Sequence, residues 1–274
     1  MFKPQRRPAT GFTKLVVILG LIYHSIVRSV RKTNSNAFIA ILSNITQVAI
    51  FILAFYAMFA ILGMRGASVR GDFLLYIMSG VFLYMTHAKT LGAVVASEGP
   101  ASPMMQHAPM STFIAIMSAA LGALYIQVLS MALILFVYHV GFVPLEIEAP
   151  FAAFGMLMLA WFTGLALGLV LLAVKPWFPG FVSIFNTLYQ RINMIASGKM
   201  FVANMLPGSM LALFAWNPLF HIIDQCRGFV FINYNPHHSD WQYAWWWGVV
   251  LTVIGMMGEF YTRKYASLSW SARR

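Results

Sequence analysis

Phe38-Ile-Ala-Ile-Leu-Ser-Asn-Ile-Thr-Gln-Val-Ala-Ile-Phe-Ile-Leu-Ala-Phe-Tyr-Ala-Met-Phe-Ala-Ile-Leu62 carries no charge, and Asn44 and Gln47 are its only strongly polar interruptions. About 20 consecutive apolar residues carry an α-helix across a bilayer core, so this run reads as a transmembrane helix. The whole chain agrees with it. Hydrophobic residues make up 60% of the 274 positions and charged residues 9%, against roughly half and a quarter in soluble domains. Water is not the main solvent, and the length leaves room for roughly six to eight crossings without a large soluble domain.

Working outward, 73–96 is a second span with Lys89 towards one end, and 112–142 and 151–174 are a third and fourth. A fifth, more polar span covers 181–197. The sixth covers 245–260 and is entered through Trp241, Tyr243, Trp245, Trp246 and Trp247, an interface belt. Between them, Glu98 to Ser111 is rich in Pro, Gly and Ser, and turns occur at Glu146/Glu148 and at Lys175-Pro176-Trp177. The segment 198–243 is too long for a plain hairpin. Its apolar pieces, Met205 to Phe214 and Leu219 to Ile232, are broken by Pro207, Pro218 and Pro236, which suits short helices dipping into the outer leaflet and returning. Near the N-terminus, Lys3, Arg6 and Arg7 resemble the start of a signal peptide, but no small-x-small cleavage site follows. His24, Arg28, Arg31 and Lys32 lie opposite Leu19, Tyr23, Ile26 and Val30 at helical spacing, so 10–32 reads as an in-plane interfacial helix. The expected fold is one all-α integral membrane domain over 1–274. It has an N-terminal amphipathic helix, six transmembrane helices and an extracellular re-entrant helical hairpin between the fifth and sixth.

Charge sets the orientation. The net +11 could suit nucleic acid, but Lys and Arg concentrate at the two ends, beside apolar spans where membrane lipid headgroups meet them. No nucleic-acid partner is expected. Cytoplasmic flanks retain Lys and Arg, which puts both termini inside, with 98–111 and the Lys175 turn, and puts Glu146/Glu148 and 198–243 outside. Cys226, the single cysteine, cannot form an internal disulfide, and no metal-ligand spacing occurs.

Candidate functional residues lie on the helices themselves. Ser183, Asn186, Gln190, Asn193 and Ser197 recur at steps of three and four, with Thr187 and Arg191 beside them. Such a stripe faces protein or a watery path, and reads either as pore lining or as hydrogen-bonding glue between helices. Tyr76, Gly80, Tyr84 and His87 form an aromatic face that reads first as packing and second as a surface on which sugar rings stack. Lys89 reads as snorkelling to cytoplasmic headgroups. Gly164/Gly168 and Ser118/Gly122 have the spacing of close helix packing. His221, Asp224 and Arg227 read as a capped or salt-bridged helix face, started by Asn217-Pro218. No catalytic set is evident. Ser197-Gly198-Lys199-Met200 lacks the upstream glycine and following hydroxyl of a phosphate-binding loop, so any ATP must be hydrolysed by another chain.

Ser197-Gly198-Lys199-Met200-Phe201, then Leu206-Pro207, then Trp216-Asn217-Pro218-Leu219-Phe220-His221, followed by Asp224 and Arg227, resembles the ABC-2 type permeases that export capsular polysaccharide, O-antigen and teichoic acid. Lys199 departs from the family pattern, in which that position is usually apolar. The resemblance implies a homodimeric permease in the bacterial inner membrane that moves a capsular-type or lipid-linked glycan outward. It implies an ABC ATPase subunit that carries ATP and Mg, no cofactor in this chain, and periplasmic export partners. On an exporter reading the two helix faces put Tyr76, Tyr84, Asn186, Gln190, Arg191 and Asn193 along the substrate path, and the matched segment puts Asn217, Pro218, His221, Asp224 and Arg227 at an outer gate. Glu98, Pro100, Pro103, Gln106 and His107 fall at the ATPase-coupling segment. A secondary transporter and a membrane-bound glycan-modifying transferase are the competing expectations.

Overall fold

The computed structural model describes residues 20–26, 37–61, 72–97, 99 and 112–265. Among these every regular element is helical, in the order α1 (Ala37–Ile61), α2 (Phe73–Val95), α3 (Thr112–Gly141), α4 (Pro150–Val174), α5 (Pro179–Ala196), a 3-10 turn (Ala203–Met205), α6 (Gly208–Phe214), α7 (Pro218–Val230) and α8 (Trp241–Tyr265). Residues 20–26 are helical too, and the rest of the expected interfacial helix lies outside the described residues. So do Glu98, Pro100, Pro103, Gln106 and His107.

Local chemistry sets the helix ends. Proline stands in the first turn of α4, α5 and α7, where its missing N–H costs nothing. Asp72 caps α2 by accepting from Leu74 N at 2.9 Å, and Asn217 caps α7 by accepting from Leu219 N at 3.0 Å. The Trp241 to Trp247 cluster forms the first turns of α8 rather than a lead-in to a helix at 245. Tryptophan marks interface depth, not a helix boundary.

Three helices, Phe38–Ile61, Thr112–Gly141 and Pro150–Val174, are long and apolar enough to cross a membrane, as in a helical membrane protein. The remaining long helices are more polar, for different reasons. α2 is the central element: every residue from Leu75 to His87 is buried, with α1, α3, α4 and α7 around it. A helix enclosed by protein needs no lipid-compatible face, and α2 carries Thr86, His87, Lys89 and Thr90. α5 carries the amide stripe, and α8 begins in tryptophans and ends in Arg263 and Lys264. On the outside, Ile50 and Leu53 of α1, Ile184 and Leu188 of α5, and Val253 and Met257 of α8 are exposed. An apolar surface of this extent suits hydrocarbon rather than water.

Gly164 and Gly168 pack against α2 as their spacing predicts, facing His87 and Val94. The ends of the bundle are distinct. At one, the α3–α4 turn meets the C-terminus of α7, with Ala149 N donating to Phe229 O at 2.9 Å. At the other, Lys175 Nζ donates to Val95 O at 2.8 Å and Trp177 Nε1 to Thr262 Oγ1 at 2.9 Å. Of the two apolar pieces of 198–243 expected to dip into the outer leaflet, α7 is enclosed by protein. Its Leu219, Phe220, Ile222 and Ile223 are at most 1% exposed, packed in a core shared with α2 and α4. α6 does expose Met210 and Leu213.

Candidate functional site

After α5 the chain turns through Ser197 to Phe201, with Gly198 at φ 75°, a left-handed conformation that glycine adopts without strain. The turn folds its carbonyls around one guanidinium. Arg227 Nη1 donates to Gly198 O at 2.8 Å and Phe201 O at 2.7 Å, and Nη2 donates to Lys199 O at 2.7 Å. The Tyr76 ring lies 4.1 Å from Arg227 Cζ. Arg227 is fully buried; charge-assisted bonds of about 1.5–3 kcal/mol each offset much of the cost of burying it. α2 comes this close because position 80 is glycine: a Cβ there would stand 2.8 Å from Lys199 Cβ.

Asp224 does not supply the pairing that its spacing from Arg227 suggested. It accepts from the Tyr234 hydroxyl and from Ser239 Oγ at 2.7 Å, so the returning segment 234–239 meets the carboxylate while the turn meets the two Nη groups of the guanidinium, whose Nε has no partner. His221 Nδ1 accepts from Asp240 N at 3.0 Å, which leaves the proton on Nε2 to be donated to Ala215 O at 2.7 Å. Asn217 Nδ2 donates to Asn193 Oδ1 at 2.7 Å and Ala196 O at 2.9 Å, tying α7 to α5. Thus Asn217, Pro218, His221, Asp224 and Arg227 share α7, and its polar side chains are bonded to the segments around that helix rather than to one another.

Lys199 points away from these groups into a cage of rings. Its Nζ is 3.4 Å from the Tyr84 ring centre, 5.1 Å from Phe55 and 5.7 Å from Phe51, with no hydrogen-bond partner. Burial pulls its amine down to about 7. Phe51 and Tyr84 also wall a cavity of about 590 Å³ between α1, α2 and α3, with Gln190 of α5 at its rim. The cavity extends towards Ala40 and Ala96, near the Lys175 end, and Ser43, Asn44, Gln47, Lys89 and Gln127 supply its polar wall. Asn44 Nδ2 donates to Gln127 Oε1 at 3.2 Å and Ser130 Oγ at 2.9 Å, and Lys89 Nζ donates to Gln47 Oε1.

The residues expected along a path are thereby divided. Tyr84 and Gln190 line the cavity, joined by a bond from the Tyr84 hydroxyl to Gln190 O at 3.2 Å. Asn186 Oδ1 accepts from Gln190 Nε2 at 3.0 Å. Arg191 is exposed. Tyr76 is buried beneath Arg227, and Asn193 is buried against Asn217, so both stand apart from the cavity. Asn44, Gln47, Lys89, Gln127 and Lys199 were not expected in a site. For the first four the signal was present, since amides and amines within apolar spans are costly and mark functional surfaces; Lys199 stands outside those spans. Gly122, read as a packing residue, also lines the cavity.

Cys226 is buried, and burial pushes its thiol up to about 12, which leaves it unreactive. No group of three His, Cys, Asp or Glu side chains able to hold a metal occurs among the described residues. No family model matches the chain, and no curated protein matches it.

Proposed function

We propose that the chain is the permease subunit of an ATP-binding-cassette exporter that moves a capsular-type or lipid-linked glycan across the bacterial inner membrane. The observation that carries this reading is the cavity of about 590 Å³ enclosed by α1, α2 and α3, walled by amides, a hydroxyl, an amine and aromatic rings. Those side chains are expensive at membrane depth unless a polar cargo or water meets them, and rings beside hydrogen-bonding groups suit the two faces of a sugar. The resemblance of Ser197 to Phe201, Leu206-Pro207 and Asn217 to His221 to polysaccharide-exporting permeases supports the same reading.

On this reading α1 to α5 and α8 are the six crossings, both termini are cytoplasmic, and α6 and α7 with their connections form the outer re-entrant hairpin. The cavity then extends from the cytoplasmic side to the Phe51–Tyr84 wall, beyond which Lys199 and the Arg227 cluster close the exit. Two copies form the channel. An ATPase that binds ATP and Mg drives each half from the cytoplasm, and periplasmic proteins take the glycan onward. Deleting the chain should leave a glycan trapped inside the cell, detectable by chemical analysis of spheroplast contents, with none at the surface. Normal surface glycan and no internal accumulation would remove the proposal.

A further inference from the structure

A second cavity, of about 140 Å³, lies between α2, α3, α4 and the C-terminal half of α7. Leu83 of α2, Leu135 of α3, Leu157 of α4, and Cys226 and Val230 of α7 stand on its walls. The two lining side chains with polar hydrogens are spent or weak. Ser79 Oγ donates to Tyr76 O at 2.8 Å, and a thiol is a poor donor. A water in such a space needs several polar partners, so the cavity is dry. Voids of this size lined by aliphatic and aromatic side chains take up apolar molecules instead.

The entrance is on the side of the bundle. At the polar end the α3–α4 turn closes over the cavity: Ile147 and Pro150 line it, and the bond from Ala149 N to Phe229 O ties the turn to α7. Between α3 and α4, Met131 and Leu135 are half-buried and Phe154 is exposed, so the opening lies there. The surface around it carries Leu133, Phe136, Val137 and Phe151, all exposed. None of these four has a polar group by which a protein partner is selected. The exposed side of α5 differs, with Ser183, Thr187 and Arg191, and such groups call for protein or water. Since α3 and α4 are both long and apolar enough to cross a membrane, the medium at the opening is lipid hydrocarbon, which is as apolar as leucine.

We propose that this cavity is a binding site for one acyl chain of a membrane lipid, drawn from the leaflet that meets the α3–α4 turn and seated sideways between α3 and α4. A chain in the void supplies the dispersion contacts that its walls otherwise lack. The depth suits a lipid. Pro150 to Leu157 spans about 10 Å of helix, so the upper and middle carbons of a chain reach the cavity while the headgroup stays beside the turn. The floor is α7, so the chain packs against the helix that carries Arg227. The site follows from the membrane setting of the chain and is independent of what the chain transports.

The test uses the full-length chain in phosphatidylcholine nanodiscs doped with a phosphatidylcholine that bears a diazirine midway along one acyl chain. After irradiation, peptide mass spectrometry locates the adducts. The parent should be labelled at Leu157, Cys226 and Val230 inside the cavity as well as at Phe136 and Val137 on the outer surface. Ala153→Phe puts a ring into the cavity and should abolish the inner adducts while leaving the outer ones unchanged. Leu83→Ala enlarges the cavity and should increase the inner adducts, which keeps the test decisive if the larger side chain prevents folding; thermal unfolding checks both variants. Parent adducts confined to the outer surface would overturn the site, as would inner adducts that neither variant changes. Protection of Met131 and Phe154 in the parent, with crosslinks to a second copy in their place, would mean that protein covers this face and would equally overturn it.

Discussion

Lys199 is 3% exposed and surrounded by Phe51, Phe55 and Tyr84, so its charge is held by ring faces rather than by a carboxylate. The rings contribute about 1–2 kcal/mol towards the charged form, while burial lowers the amine to about 7. The native chain therefore binds fewer protons than the unfolded chain between about 7 and the ordinary lysine value of 10.5. Stability should rise with pH across that window. Lys199→Met keeps the stem and removes the charge. It should be more stable than the parent at pH 7 by on the order of a few kcal/mol, since each tenfold loss of proton affinity on folding costs about 1.4 kcal/mol. It should also lose this share of the pH slope. Thermal unfolding followed by tryptophan fluorescence from pH 7 to 9.5 checks this, and equal slopes in parent and variant would show that the cage does not strain the ammonium. Arg227 beside it differs in kind. Its hydrogen bonds go to carbonyls of the turn, so it acts as the core of a loop rather than half of an ion pair.

At the scale of elements, α5 is one helix with two jobs. Asn193, near its C-terminus, accepts from Asn217 and is buried, whereas Gln190 one turn earlier meets the cavity. Asn193→Leu should cost about 1–3 kcal/mol, because Asn217 Nδ2 loses an acceptor inside the protein, and should lower the amount of folded protein. On the export reading Gln190→Leu should leave folding intact and reduce glycan export per amount of folded protein. Melting temperatures and normalised export assays separate the two, and the opposite pattern would make the cavity face structural. Helix positions were largely legible in the sequence. Pro150, Pro179 and Pro218 announce their starts, and uncharged runs outline α1, α3 and α4 within a residue or two. The start of α8 was not, since Trp241 and Tyr243 suit an interface whether or not the backbone is helical. The burial of α7 was hidden for a deeper reason. Leu219, Phe220, Ile222 and Ile223 would look the same facing lipid as facing α2 and α4, because apolar side chains do not distinguish the two. For the same reason the amide stripe of α5 gave a face but not the division between Asn193 and Gln190.

Over the whole molecule, the bundle has a carbonyl-wrapped arginine at one end and a polar cavity reaching towards the other, with Lys199 and its rings between them. Asp72, Glu146, Glu148, Asp224 and Asp240 lie on the side of the arginine cluster, and Lys175, Arg263 and Lys264, with Glu259, lie on the side of the cavity mouth. On the export reading Lys175, Arg263 and Lys264 face the cytoplasm with the cavity mouth. On that reading the cavity loads from the cytoplasm, and an ATPase subunit supplies the work that opens the plug. The most direct test is uptake of radiolabelled glycan by proteoliposomes that contain the chain in inside-out orientation, with and without a co-purified ABC ATPase. Uptake is expected only when ATPase and ATP are both present, and should be reduced in Gln190→Leu. Uptake driven by a proton gradient with no ATPase, or chemical modification of the glycan by the chain alone, would contradict the permease reading.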